Sequence, residues 1–139
     1  MVGIDEAAQI AAGLPGVTEG TSYGNRAWFV GKKVFAWERS FRMADLRRFG
    51  DAPVPAGPIF AVRVAGLPEK DAVLAERTRG VFTIPHFDGY AAVLVQLEVV
   101  AMTVLRRLVT DAWLACADVA TVEGCRVRRA APRRSASSP

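Results

Sequence analysis

An α+β domain built on an antiparallel sheet is what this chain predicts, and three observations predict it. Two β-rich stretches, residues 26–37 and 81–97, are each interrupted by a two-residue turn containing glycine, Gly31-Lys32 and Asp88-Gly89, so each reads as a hairpin. A further alternating run, Ile59–Val64, supplies another strand. After Glu98 the apolar period lengthens from two to between three and four, and Ala101, Leu105, Leu108, Ala112 and Cys116 fall on one helical stripe. The order expected is α-β-β-β-α-β-β-α, with the helices packed on one face of the sheet.

The first helix is placed at Ile4–Leu14. Ile4, Ala7, Ala8, Ala11 and Ala12 share a face, Asp5 and Glu6 suit the positive end of the helix dipole, and Gly13 and Pro15-Gly16 end the segment. Residues 16–24, rich in Gly, Thr and Ser, read as a loop. In the hairpin that follows, Gly31 takes the first central position of a II′ turn, pairing Val30 with Lys33, Trp28 with Phe35 and Arg26 with Trp37. That register sends Trp28, Val30, Phe35 and Trp37 toward the helices and leaves Ala27, Phe29, Val34 and Ala36 on the opposite face. Asp51–Pro58, with three prolines, is a connecting loop. In Ile59–Val64 the helix-facing set is Phe60, Val62 and Val64, and the other is Ile59, Ala61 and Arg63. Pro68 opens a helix reaching to about Thr78, anchored by Val73 and Leu74 and stopped by Gly80. An Asp88-Gly89 I′ turn would then pair Phe82 with Val95 and Ile84 with Val93.

With 139 residues the chain reads as one domain, residues 1–120, followed by a tail, 121–139, expected to be disordered because RVRRAAPRRSASSP is basic and low in complexity. No apolar run is long enough to span a bilayer, and MVGIDEAAQ opens with acids where a secretory signal carries basic residues, so a cytoplasmic protein without membrane attachment is expected. Cys116 and Cys125 form neither a CxxC motif nor a disulfide framework.

The net charge of +4 is misleading about the body. Arg126, Arg128, Arg129, Arg133 and Arg134 all lie in the tail; without these five of the 18 basic residues, 13 remain against 14 acids. Within the body, Arg26, Lys32, Lys33, Arg39, Arg42, Arg47 and Arg48 face only Glu38 and Asp45 over the same span, a local excess that can form a patch for nucleic-acid phosphates.

LPGVTEGTSYGNRAWFVGKKVFAWE, with its LPGV loop leading to a strand–Gly–Lys–strand hairpin, resembles the opening of the MmcQ/YjbR family, and FTIPHFDGYAAVLVQLE followed by a helix carrying Ala112-Trp113 resembles its C-terminal half. The resemblance spans roughly residues 4–117 through several weak motifs in the right order. It implies a CyaY-like fold and a double-wing DNA-binding role, with Lys32 and Lys33 matching the basic hairpin turn. The chain departs from similar proteins before its last helix, where Ala101 stands in place of an Asp N-cap.

No catalytic constellation is visible, so an enzyme is not expected. His86 is the sole histidine, and a zinc or iron site needs three or four ligands that no spacing here supplies; neither a metal nor a cofactor is expected. His86 reads first as a histidine hydrogen-bonded beside the turn, with a pocket near His86, Asp88 and Tyr90 as the functional alternative. Ser22 and Ser40 have no base at hand, and the glycines at 13, 16, 20 and 24 make neither a GxGxxG motif nor a P-loop. Two functions remain. One is DNA binding through Arg26–Arg48 and the arginine tail (Arg126, Arg128 and Arg129 foremost). The other is a small binding or protein-interaction module, acting through that pocket or through an open apolar sheet face of Phe29, Val34, Ile59 and Ala61 that would also serve a homodimer.

Overall fold

The computed structural model describes residues 2–118 and 121–122. They form a six-stranded antiparallel sheet with four α-helices, in the order α1 (Ile4–Ala12), β1 (Val17–Ser22), β2 (Asn25–Val30), β3 (Lys33–Glu38), α2 (Met43–Phe49), β4 (Ile59–Arg63), α3 (Leu67–Ala75), β5 (Val81–Phe82), β6 (Ala92–Gln96) and α4 (Met102–Cys116). The α+β class holds, and two elements are added to the expected order, β1 and α2. Across the sheet the strands run β1-β2-β3-β4-β6-β5.

β1 lies where a loop was expected. Its residues, VTEGTS, carry no apolar alternation, so nothing intrinsic marks them as a strand. They are ordered by six consecutive pairings with β2, from Val17 opposite Val30 to Ser22 opposite Asn25. The turn is Tyr23-Gly24, both at positive φ, as a two-residue hairpin requires.

The β2–β3 turn is as expected: Val30 pairs Lys33, with Gly31 at φ 61. Two residues later the register departs from the expected one. Phe29 pairs Val34 but Trp28 pairs Ala36, so Phe35 is an extra residue on β3, a β-bulge. Phe35 and Ala36 both join the helix-side core, although Ala36 was expected on the opposite face, while Trp37, expected beside Phe35, is turned away from the helices.

One face packs against α1 and α4. Trp28, Phe35, Phe60, Val62, Val93 and Val95 meet Ala7, Ala8 and Ala11 of α1 and Leu105, Leu108, Val109, Ala112 and Trp113 of α4. The expected stripe is correct from Leu105 to Cys116; Ala101 instead sits just outside α4 in extended conformation, without a side-chain cap. Such a helix is held by packing rather than by its ends. Trp113 Nε1 donates to the carbonyl of Pro15 at 2.9 Å, tying α4 to the LPGV loop. Val122 also packs on this core, so chain order extends slightly into the segment assigned to the tail; the remainder, including Arg126, Arg128 and Arg129, lies outside the described residues.

The second face is covered as well, which corrects the expectation of an open sheet. Ile59, Ala61 and Leu94 are buried beneath Ile84 and Phe87, with Phe41, Phe49 of α2, Phe82 and Tyr90 around them. The apolar set offered for a dimer is therefore dissolved: Ile59 and Ala61 are interior, and only Phe29 and Val34 stay partly exposed. This second layer exists because the 81–97 hairpin is not the tight one expected. Phe82 pairs Leu94 rather than Val95, and Ile84 leaves the sheet. Pro85 lacks the N–H a ladder needs, and Pro85–Phe87 forms a 3-10 turn that folds Phe87 back over the sheet. Asp88-Gly89 does turn the chain, but as a type II turn: Asp88 is at φ −59, ψ 131, Gly89 is at φ 75, and the Tyr90 N–H bonds to the Phe87 carbonyl.

A candidate anion-binding cleft at the edge of the second layer

Where the second layer stops, a cleft of about 660 Å³ opens over β2 and β3. Its floor is Asn25, Val34 and Trp37, with Ser22 beside them at the end of β1. Trp37 reaches this floor only because of the bulge at Phe35. Phe87 and Tyr90 form one wall, with ring centroids 6.3 and 6.2 Å from Trp37, and His86 stands beside them. The opposite rim is Tyr23 of the β1–β2 turn and the segment after β3, with Arg39 and Arg42.

Three guanidinium groups line this space, each over an aromatic ring: Arg39 over Phe87 at 5.6 Å, Arg42 over Tyr23 at 6.0 Å and Arg63 over Tyr90 at 5.3 Å. Their electrostatic states differ. Arg39 is buried; it donates to Asp45 Oδ2 at 3.0 Å and to the Ser40 carbonyl, so its charge is spent inside the protein. The same Asp45 oxygen accepts the Arg42 N–H at 2.9 Å, which starts α2 and fixes where Arg42 begins. Burial pushes the Asp45 carboxyl up, but the Arg42 N–H and the Arg39 guanidinium outweigh it, and the net displacement is below the usual carboxylate range. Arg63 donates through Nε to the Val34 carbonyl at 2.9 Å, which aims the rest of its fork into the cleft mouth. Among the described residues neither Arg42 nor Arg63 has an ion-pair partner, and no Asp or Glu lines the cleft.

The wall that carries Tyr90 is held from behind. Lys70 of α3 is buried and donates through Nζ to the carbonyls of Phe87 and Tyr90, at 2.6 and 2.8 Å. An ammonium group thus satisfies the backbone of the 3-10 turn and the type II turn together.

The expected site residues separate into groups. His86 and Tyr90 line the cleft, whereas Asp88 is exposed outside it. Arg26 is bound to Glu19 at 2.9 Å and to Asp5 at 3.1 Å, so it is not a free cation; that contact also lowers the Glu19 carboxyl. Arg47 and Arg48 are exposed on α2, away from the lining. Lys32 and Lys33 border a second cleft of about 440 Å³, beside Phe29 and the end of α4, and the two clefts share Val34 and Arg63. Among the described residues no three His, Cys, Asp or Glu side chains gather as metal ligands, and no helix is long and apolar enough to cross a membrane.

Sequence reading missed Arg63, Lys70 and Tyr23 as site residues and assigned Trp37 to the core facing the helices. The signal for Arg63 was present: an arginine closing an otherwise apolar strand, on the same face as Ile59 and Ala61, needs an exit to solvent or an anion. Lys70 gives no such signal, because its partners are carbonyls 17 and 20 residues away.

The YjbR family model matches residues 12–115, which includes the cleft, the bulged hairpin and α4. Uncharacterised proteins of Mycobacterium bovis and of two strains of Mycobacterium tuberculosis are each 43% identical over 113 residues, covering 79% of this chain and 84% of theirs. No solved structure matches the chain significantly. With a family match across three-quarters of its length and relatives at this identity, the chain belongs to the YjbR family.

Proposed function

We propose that this protein is a binding module for a phosphate-bearing anion, which it takes in the second-layer cleft without performing chemistry on it. The observation that carries this reading is the pair Arg42 and Arg63, two guanidinium groups without carboxylate partners among the described residues, which line one aromatic cleft from its rim and from its Tyr90 wall. Arginine presents a planar fork that matches phosphate oxygens, and a concave low-dielectric wall focuses its field. Calorimetric titration with inorganic pyrophosphate tests the reading. A charge-assisted hydrogen bond contributes about 1.5–3 kcal/mol, so Arg42→Ala combined with Arg63→Ala should weaken binding by at least about 100-fold. Undiminished binding by the double variant would remove the cleft from consideration.

A second reading is DNA binding, favoured by the way the cleft containing Lys32 and Lys33 adjoins the first through Arg63, so that exposed cations follow one another along a single tract. Each neutralised phosphate of a duplex adds roughly 0.9 to the slope of log affinity against log salt. If the arginine tail dominates, truncation after Gly124 removes most binding to a duplex. If the tract dominates, the truncated chain keeps its affinity and Lys32→Glu with Lys33→Glu abolishes it. Both variants, measured on one duplex at two salt concentrations, decide between them.

A further inference from the structure

Tyr23 is out of place by every structural criterion. It occupies a turn position at φ 51, which favours Gly, Asn or Asp, and a bulky side chain there is strained. Burial does not compensate, since the residue is 91% exposed. The ring stands at the mouth of the cleft with the Arg42 guanidinium 6.0 Å from its centroid. On the inner side Trp37 is half-buried, with Tyr90 beside it and Arg63 above Tyr90. Rings and guanidinium groups therefore alternate on both sides of one space, with the polar side chains of Ser22 and Asn25 at its base.

We infer that the cleft takes a nucleoside monophosphate, its base stacked between Tyr23 and Trp37 and its phosphate held by Arg42 and Arg63. This assignment rests on the anion-binding reading above and adds the ring. A simple oxyanion would use the two arginines and leave the aromatic surfaces idle, and an apolar ligand would leave two cations facing it. A planar ring joined to a dianion uses both, and Ser22 and Asn25 offer hydrogen bonds for a sugar or for base edges. The volume, about 660 Å³, lies within the range of small-molecule sites and holds a nucleotide but not a duplex. Base stacking on aromatic faces tolerates any base, so the ring is assigned as a class without preference among bases.

The experiment titrates the full-length protein with AMP, ribose 5-phosphate, adenosine, phenyl phosphate and inorganic pyrophosphate, following tryptophan fluorescence and heat. AMP should bind at least tenfold more tightly than ribose 5-phosphate or adenosine. Tyr23→Asn should lose about tenfold in AMP affinity, lose less for ribose 5-phosphate, and raise the melting temperature, because asparagine relieves the strained turn. A purely structural Tyr23 would show the reverse, a lower melting temperature with AMP affinity unchanged, and that overturns the inference. Equal affinity for AMP and ribose 5-phosphate removes the ring, and phenyl phosphate binding as well as AMP removes the nucleoside. In both cases pyrophosphate binding that depends on Arg42 and Arg63 leaves the anion site standing. If neither pyrophosphate nor AMP binds, the anion reading and the inference fall together. A 5′-phosphorylated oligodeoxyadenylate binding more tightly than AMP supports the same chemistry with a strand end as its source; AMP binding more tightly supports a free nucleotide.

Discussion

Asp45→Asn should lose about 3–5 kcal/mol of stability at neutral pH, the range expected when one partner of a buried ion pair is removed and the other is left uncompensated. Arg39 and Asp45 are both almost fully buried, 3.0 Å apart, and the same carboxylate oxygen holds the Arg42 N–H. The loss should depend on pH in a defined direction. Asp45 has its carboxyl lowered in the folded protein, so its contribution is fully present above the unfolded carboxylate pKa of about 4 and fades as pH falls through the lower native value. The gap between wild type and variant in urea unfolding should therefore be widest near pH 7 and narrow below about pH 4. A loss under about 1 kcal/mol, or a gap that persists unchanged at pH 3, would show that the pair is not what holds this segment. The variant should also bind pyrophosphate more weakly, because Asp45 anchors the backbone from which Arg42 projects.

Trp113→Ala is expected to be of similar size, about 3–5 kcal/mol, for a different reason. The indole is 2% exposed within the helix-side core, and truncation leaves a cavity between α4 and its neighbours. Its Nε1 bond to the Pro15 carbonyl adds a smaller part. Trp113→Phe keeps most of the volume and loses the donor, so it should cost about 1–3 kcal/mol, from the loss of a partly buried hydrogen bond plus a partial void. Equal losses for Ala and Phe, by urea unfolding, would contradict a contribution dominated by packing.

Much of the architecture was legible because it follows local rules. Gly31 marks a turn wherever a hairpin needs positive φ at that position; the alternation in β4 divides Phe60 and Val62 from Ile59 and Ala61 correctly; and the stripe from Leu105 to Cys116 identifies the buried side of α4. The candidate site was legible only in fragments. His86 and Tyr90 were marked as a possible pocket, and Arg39 and Arg42 as cations, but in separate roles. A bulge leaves no mark in an alternating pattern, so the extra residue at Phe35 and the reversal of Trp37 that follows from it could not be read. Nor can a count of charges tell a neutralised arginine from a free one. Arg26 and Arg39 find their carboxylates through folding, at Asp5, Glu19 and Asp45, while Arg42 before α2 and Arg63 at the end of β4 come to one cleft.

By itself, then, the sequence determined the α+β class, the long packed helix, the lysine-tipped hairpin and the family, since each depends on the period and order of residues along the chain. The tertiary structure alone decided which sheet face is covered and which arginines keep their charge available. Pro85 withdraws the backbone from the sheet and sends Phe87 over it, burying Ile59 and Ala61, and the edge of that second layer becomes the wall of the cleft. Both outcomes depend on contacts between residues distant in the chain, and a linear pattern carries no term for such contacts.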